Sequence, residues 1–440
     1  MNVAGNDANP SFSELVRLSW RIGWLSFGGP AGQIALMHRE MVDERQWIGE
    51  AQFLSALNFC HLLPGPEAQQ LATYIGWRLH GVKGGLAAGL LFVIPGALVM
   101  LGLSLLYAAA ADLHWFAALF FGVKAAVIAI VVQALLRVGG RALTTAFRRG
   151  VALAAFLSLF LFALPFPLVV LGAAFIGAVV AGVRPEWLKL HGALPPASAE
   201  RPRLWKTGVT IVKGLAVWAA PMLLVLALLG PDHVLWKIGI FFSQLAVVTF
   251  GGAYAVLSYM AQEAVQTHGW LSAGEMADGL GLAETTPGPL ILVTQFVGFL
   301  AGARGGGALG WLGGGIAGAA MTLWVTFVPC FLWIFALAPW IDRLQSATRL
   351  QGALAALTAA VVGVIANLSL WFALHVLFVR VAPLHWGALN ATVPELGSFD
   401  WRAGLLAVIA AGLLFRTKLG VFWTLAICAG GGLAIQLAGL

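Results

Sequence analysis

The sequence predicts an all-α polytopic membrane protein made of two inverted-topology repeats with broken or re-entrant helices. Three observations predict it: a composition too apolar for a soluble fold, a long motif that recurs at a fixed offset, and a Lys and Arg bias that reverses between the two copies. Of 440 residues, 60% are hydrophobic and 10% charged, against about 45–50% and 25% in soluble domains. Apolar stretches at 85–111, 115–136, 209–229 and 350–379 reach the roughly 20 residues that a spanning helix needs. The lipid bilayer is therefore the solvent. The formal charge of +7 sits mainly in short connections, where retention of basic residues on the cytoplasmic face accounts for it, so nucleic acid is not indicated as a partner. Cys60, Cys330 and Cys428 are far apart in apolar surroundings, the pattern of packing residues and not of disulfides or a metal site. No cofactor is implied.

Taken in chain order, residues 1–12 are polar and lack a basic, then apolar, leader pattern, which reads as a retained cytoplasmic tail. Residues 13–183 form the first repeat with a trailing apolar hairpin around Pro165-Phe166-Pro167. A basic loop at 184–207 and one connecting transmembrane helix at 208–229 follow, and 235–438 are the second repeat. The repeat itself is direct. Phe27-Gly28-Gly29 recurs as Phe250-Gly251-Gly252, Glu40 as Glu263, Trp47 as Trp270, and Pro64-Gly65-Pro66 as Pro287-Gly288-Pro289, all displaced by 223 positions. Hydrophobicity alone does not align two Pro-Gly-Pro triplets. Further on, Gly122-Val-Lys-Ala-Ala corresponds to Gly352-Ala-Leu-Ala-Ala.

An odd number of crossings between copies inverts the second, a common construction of secondary transporters. The charges agree. Arg39, Arg45, Arg78 and Lys83 of the first copy have only Arg304 to match them in the second, whereas Arg343 and Arg349 occupy a connection whose first-copy equivalent has no basic residue. Under the positive-inside rule the N-terminus and the 139–150 and 184–207 loops are inside, 230–234 and 381–400 outside, and the C-terminus outside. Each copy also has two apolar segments broken at Phe-Gly-Gly or Pro-Gly-Pro into halves too short to span at about 1.5 Å per residue. Read as re-entrant hairpins, these four plus nine full spans give about thirteen apolar segments.

Broken helices in a membrane mark cavities, because hydrocarbon cannot satisfy the freed backbone groups. Pro30, Pro66 and Pro289 suit a first helical position, so Gly28, Gly29, Pro30, Pro64, Gly65, Pro66, Gly251, Gly252, Pro287, Gly288 and Pro289 should present helix N-termini, which bind anions. Gly and Pro also kink ordinary membrane helices, but four breaks at equivalent positions favour one midplane anion site. Asn58 precedes the first triplet and Thr285 and Thr286 the second. Gln69 and Gln70 could donate on the same turn or pack as amides. His61 and Glu284 are equivalent and could carry protons. Glu67 either caps its helix or gates the site. Lys124, set in an apolar run opposite Leu354, either snorkels or meets substrate or a carboxylate. A membrane-embedded enzyme using His61, Glu67 and Glu284 is the alternative, and it lacks H-x-x-x-H, H-E-x-x-H and G-x-S-x-G patterns.

The stretches Ser26-Phe-Gly-Gly-Pro-Ala-Gly-Gln-Ile-Ala-Leu-Met-His-Arg-Glu, Leu57-Asn-Phe-Cys-His-Leu-Leu-Pro-Gly-Pro-Glu-Ala-Gln-Gln and Ala283-Glu-Thr-Thr-Pro-Gly-Pro resemble the chromate ion transporter family in its long, two-domain form. The resemblance implies an exporter of chromate in a bacterial inner membrane, with sulfate as competitor and chromate resistance as the outcome. A sulfate-type uptake carrier or anion channel is the runner-up, and a homodimer is compatible with either. Ala253 replaces the proline that follows Phe-Gly-Gly in the first copy, so the second break should fix its helix start less firmly.

Overall fold

The computed structural model describes residues 10–27, 29–110, 113–190, 203–250, 253–387, 389–417 and 419–439. Most of the tail, the middle of the basic loop, Gly28, Gly251 and Gly252 lie outside the described residues. The first half begins with α1 (Phe12–Leu25), started by a capping box in which Ser11 Oγ accepts from the Glu14 amide and Glu14 accepts from the Ser11 amide. There follow α2 (Gly29–His38), which runs on as a π-helical turn over Arg39–Glu44, α3 (Glu50–Cys60), α4 (Glu67–Ala110), α5 (His114–Ala142), α6 (Ala146–Phe160) and α7 (Phe166–Val183). The connecting helix is α8 (Leu204–Leu229).

The second half repeats the order: α9 (Val234–Val248), α10 (Ala253–Gln262) with its own π-helical turn at Glu263–Thr267, and α11 (Ala273–Thr285). After a 3-10 turn at Leu290–Leu292 come α12 (Val293–Gly305), α13 (Gly310–Leu337), α14 (Ile341–Ser346) and α15 (Thr348–Leu377). Even the π turns are copied at the 223-residue offset. The connection expected at 381–400 is not plain loop: β1 (Val381–Trp386) and β2 (Leu389–Pro394) pair antiparallel before α16 (Trp401–Arg416) and α17 (Val421–Leu437). Among the described residues, six helices are long and apolar enough to cross a membrane.

The chain reverses at each of the four breaks. Around Phe27, Arg21 of α1 approaches Glu40 beyond α2 at 3.5 Å; around the first triplet, the rings of Phe59 and Tyr74 lie 5.9 Å apart. In the second half Phe241 meets Tyr259 at 5.8 Å, and Arg304 at the end of α12 pairs with Glu275 at the start of α11. Half-helices that fold back on themselves are hairpins, as their length required. α4 is likewise two antiparallel arms. At His80 (φ −136°) and Gly81 (φ 61°) the helix turns over, so a Cβ on Gly76 would lie 2.4 Å from the Gly84 carbonyl.

The hairpins of one half share one level. His38 lies 2.6 Å from Glu50, and Phe12 stacks edge-on at 5.7 Å with His80, which gathers the open ends of the first two hairpins on what we term the first face. Glu275, Arg304, Trp270 and Val234 gather the second pair on the second face. The second arm of α4 joins them. It leaves the first face at Val82, passes the second triplet at Gly96, and reaches Asp278 at Tyr107; 25 residues at about 1.5 Å each cover more than a bilayer's roughly 30 Å core. α13 makes the reverse trip, from Gly314 against Gly302, past Gly65 at Cys330, to Gln345 of α14 bonded to Ser55. The two sets of hairpins therefore enter from opposite ends, which is the inverted arrangement.

The trailing hairpins are exchanged. α6 and α7, contiguous with the first repeat, pack on α15 of the second, while α16 and α17 pack on α5 of the first. Small residues permit it. A Cβ on Gly352 would meet Ala181 Cβ at 2.3 Å, and one on the equivalent Gly122 would meet the Cys428 carbonyl at 1.8 Å.

Candidate functional site

The tips of the hairpins are bonded across the two halves. Each first-hairpin helix ends the same way: the Ser26 hydroxyl donates to the Ile22 carbonyl and the Thr249 hydroxyl to the Leu245 carbonyl, both at 2.6 Å. The Gly65 amide of the first triplet then donates to the Thr249 carbonyl at 2.8 Å, and the Gly288 amide of the second donates to the Ser26 carbonyl at 2.8 Å. Ser26 and Thr249 are equivalent at the repeat offset, as are Gly65 and Gly288. One pseudo-twofold operation thus interchanges the two bonds, and four helix breaks become one body at the centre of the molecule.

Glycine is required here by conformation and space. Gly65 has φ 121° and Gly288 φ 86°, values that favour glycine. A Cβ on Gly65 would sit 2.8 Å from Cys330 Sγ, and one on Gly96 would sit 2.2 Å from the Pro287 carbonyl oxygen. Each triplet is thereby backed by a proline-containing stretch of the other half, Pro329-Cys330 or Pro95-Gly96. The buried cysteines act in packing: Cys330 against Gly65, and Cys428 through its backbone against Gly122.

Helix starts cluster at this body. α2 begins at Gly29 with Pro30 second, α4 at Glu67 directly after Pro66, and the 3-10 turn leading into α12 at Leu290 directly after Pro289. The triplet prolines therefore stand just outside their helices, one place earlier than their sequence preference suggested. The first-turn N–H groups that follow have no intrahelical acceptors and carry partial positive charge. Side-chain amides mostly build the scaffold. Gln33 donates to the Gly288 carbonyl, Gln70 to the Pro64 carbonyl at 2.7 Å, Gln295 to the Ala97 carbonyl at 2.9 Å, and Gln69 to Thr73 at 3.0 Å. Thr285 and Thr286 donate back to the Leu282 and Ala283 carbonyls. Donors for an anion are thus chiefly backbone amides.

The two triplets differ in access. Pro287 to Leu292 are all buried, whereas Pro64, Pro66 and Glu67 are half-buried and Asn58 and His61 exposed. Glu284, the counterpart of His61, is half-buried. The first triplet is therefore the more accessible of the two.

Lys124 does not reach the tips. Its Nζ lies 3.3 Å from Asp278 Oδ2, which also accepts from the Tyr107 hydroxyl at 2.7 Å. Asp278 is 2% exposed and its Oδ1 has no hydrogen-bond partner among the described residues. Sequence reading named a carboxylate as one partner for Lys124 but missed Asp278 and Tyr107. An aspartate inside a re-entrant half-helix, in the same half-protein asymmetry as Lys124, was the available signal. On the first face Glu40, 1% exposed, accepts from Arg45 and lies 3.5 Å from Arg21 and 3.9 Å from Arg39. One carboxylate thus organises three guanidiniums around the hairpin bases.

Two inverted halves joined through broken-helix tips, with charged side chains buried between them, define a membrane transporter of the inverted-repeat class. The chromate transporter profile matches residues 13–178 and 236–433. The chain belongs to the chromate transporter family. It is similar to the chromate transport protein of Pseudomonas aeruginosa, 32% identical over 413 residues that cover 92% of this chain and 91% of that protein. The probable chromate transport protein of Synechococcus elongatus is 28% identical, covering 81% and 83%, and the chromate transport protein of Cupriavidus metallidurans 28%, covering 80% of each. No solved structure matches the chain.

Proposed function

We propose that this protein exports chromate across a bacterial inner membrane and confers chromate resistance, with its N-terminus cytoplasmic and its C-terminus periplasmic. The observation that carries the reading is the reciprocal pair of hydrogen bonds between Gly65 and Thr249 and between Gly288 and Ser26. It holds the helix starts at Gly29, Glu67 and Leu290 around one point, where their amides suit a tetrahedral dianion. The names of the relatives support chromate as that dianion. Sulfate has the same shape and charge and competes for the same amides.

The orientation is supported by charge. The first face carries Arg21, Arg39 and Arg45 around Glu40, and the positive-inside rule makes that face cytoplasmic. Anion gathered there enters along the first triplet, the more accessible of the two, passes His61 and Glu67, and leaves through the second face. Glu67 sits on the first turn of α4 and would repel the anion unless protonated or displaced, which makes it, with His61, the coupling group of this path.

Proteoliposomes loaded with buffer and given labelled chromate under imposed gradients test the reading. Flux should saturate, fall when sulfate is added, and vanish when either triplet is replaced by Ala-Ala-Ala. Wild-type flux in both triplet variants would remove the proposed site. Chromate chemically converted without accumulation would replace the transporter by an enzyme.

A further inference from the structure

The pseudo-symmetry of the backbone is broken in packing. On the second face, α11 lies along α5, with Gly281 against Val123 and a Gly274 Cβ position 3.0 Å from Lys124 Nζ, and α10 packs along α15. The counterparts in the first half, α3 against α15 and α2 against α5, have no comparable packing among the described residues. Ala31, Gly32 and Ala35 of α2 and Leu54 and Asn58 of α3 stay exposed, and α3 packs on its own hairpin partner α4 and meets the second half through the Ser55–Gln345 bonds to α14. The molecule is closed on the second face and open on the first.

Chemistry is asymmetric in the same sense. Lys124, Asp278 and Tyr107 lie on the closed side, where α11 meets α5 and the second arm of α4. The equivalent of Asp278 is Ser55 and that of Lys124 is Leu354, so the open side has no such group. An ion pair sunk in a membrane protein is a poor stabiliser, because desolvation offsets much of its attraction. Its value is in choosing between states: formed, it satisfies both charges; separated in the bilayer, each must find water. Asp278 keeps one oxygen unbonded, so the pair is held by Oδ2 alone and is under-satisfied compared with a structural bridge.

We propose that Lys124, Asp278 and Tyr107 form a latch that holds the α11–α12 hairpin against α5 and so closes the second face, opening to let the anion leave. The latch rests on the transporter reading but not on chromate as substrate. It gives Lys124 a gating role between the central amides and the far mouth, in place of contact with the anion at the tips. Gating positions of this kind act in one direction of access only. Here the second face is latched by charge, while the open first face has only the uncharged Ser55–Gln345 contact between its hairpin and the other half.

The test places a reporter between latch and triplet. Leu282→Cys is introduced into the full chain, whose own three cysteines are buried, and a membrane-impermeant thiol reagent is added from one side of sealed vesicles at a time. Labelling from the second face should be slow with the latch intact. It should rise about fivefold in Tyr107→Phe, the ratio produced by losing one buried hydrogen bond, and further in Lys124→Gln and Asp278→Asn. The charge-swapped pair Lys124→Asp with Asp278→Lys should return it to the slow rate. Tyr107→Phe keeps the ring packed, so it reports even if a charge variant fails to fold. Second-face labelling unchanged in Tyr107→Phe and in Lys124→Gln overturns the latch. Chromate flux is measured on the same vesicles: loss of flux in Lys124→Gln with unchanged labelling makes Lys124 a substrate contact and also overturns it. Absent chromate flux with latch-dependent labelling refutes the substrate reading alone.

Discussion

Replacing Gly96 by alanine tests how firmly the second triplet is seated. The added Cβ would lie 2.2 Å from the Pro287 carbonyl oxygen and 2.6 Å from Leu292 Cδ1. A carbon and a carbonyl oxygen approach comfortably at about 3.3 Å, so the tip must withdraw by roughly 1 Å. It has little room to do so, since the adjacent Gly288 amide is bonded to Ser26 at 2.8 Å and the Gly288 carbonyl to Gln33. Stretching the first of these by that amount takes it beyond hydrogen-bond range. Loss of one such bond costs about 1 kcal/mol and overpacking about 1–3 more, against a gain of about 0.5–1 kcal/mol from alanine in a helix. The net is a destabilisation of about 1–3.5 kcal/mol, concentrated at the second triplet. Gly102, on the same arm of α4, is the control, because nothing lies within 4 Å of its Cβ position. Thermal unfolding in detergent and chromate flux in proteoliposomes should separate the two variants: Gly102→Ala melting at or above wild type with normal flux, and Gly96→Ala melting lower with little flux. A Gly96→Ala protein that melts and transports like Gly102→Ala would show that the tips are loosely held and that the reciprocal bonds do not define the site.

Gly122→Ala and Gly352→Ala should each lower the unfolding temperature, by about 1–3 kcal/mol of overpacking, since each brings a methyl onto an exchanged hairpin; wild-type melting in both would dissolve the exchange. Glu40→Gln should cost about 1–3 kcal/mol through loss of charge-assisted hydrogen bonds, held to the lower part by the solvent available to Arg21 and Arg39, and read as a lower unfolding temperature in detergent. Asp400 caps α16 and pairs with Arg402. Partial burial pushes its carboxyl up, but the bonds from Arg402 and from the Arg402 and Ala403 amides outweigh that and hold it below the usual carboxylate value. Its folded pKa being depressed, its contribution is present above the unfolded value near 3.8 and lost as pH falls through the folded one. Asp400→Ala should thus lower the unfolding temperature equally from pH 7 to 5, by about 0.5–2 kcal/mol of capping, with the difference closing only below about pH 4.

Much of this architecture is written in residues that punctuate helices. Gly and Pro at matched positions gave the four breaks, and Arg and Lys gave the inversion, because both kinds of signal are local. What is not local could not be read. Nothing in Gly122 or Gly352 says which distant helix comes to lie against it, so the exchange of trailing hairpins was invisible, and 146–183 reads as an appendage of the first repeat when in space it covers the second. The sequence brings both Pro-Gly-Pro triplets to one site, but not their difference in access: Pro287 to Leu292 are buried, whereas Pro64, Pro66 and Glu67 are half-buried and His61 is exposed. Thr285 and Thr286 stand beside the triplet as expected, but their hydroxyls turn back to α11, a choice made by the carbonyls left free at a helix end. Asp278 was passed over because a carboxylate in Ala-Gly-Glu-Met-Ala-Asp-Gly-Leu-Gly, three residues after Glu275, reads as a polar helix; only the fold brings Lys124 and Tyr107 to it. The strand pair at 381–394 was not legible because its mostly apolar residues show no clear alternation and carry Pro383 and Gly387 within fourteen positions.

The exchanged hairpins also set an order of events at the ribosome. α5 leaves the exit tunnel with a strip of small residues, Ala118, Gly122, Ala125 and Ala126, and must wait in the bilayer until α16 and α17, at the other end of the chain, arrive to cover it. α6 and α7 in turn wait for α15. Neither half can finish folding while it is the only one made, so the insertion machinery has to shelter unpaired membrane helices through most of translation. The same dependence means that a gene divided within the basic loop would yield two chains, each of which completes the other, recovered together or degraded apart.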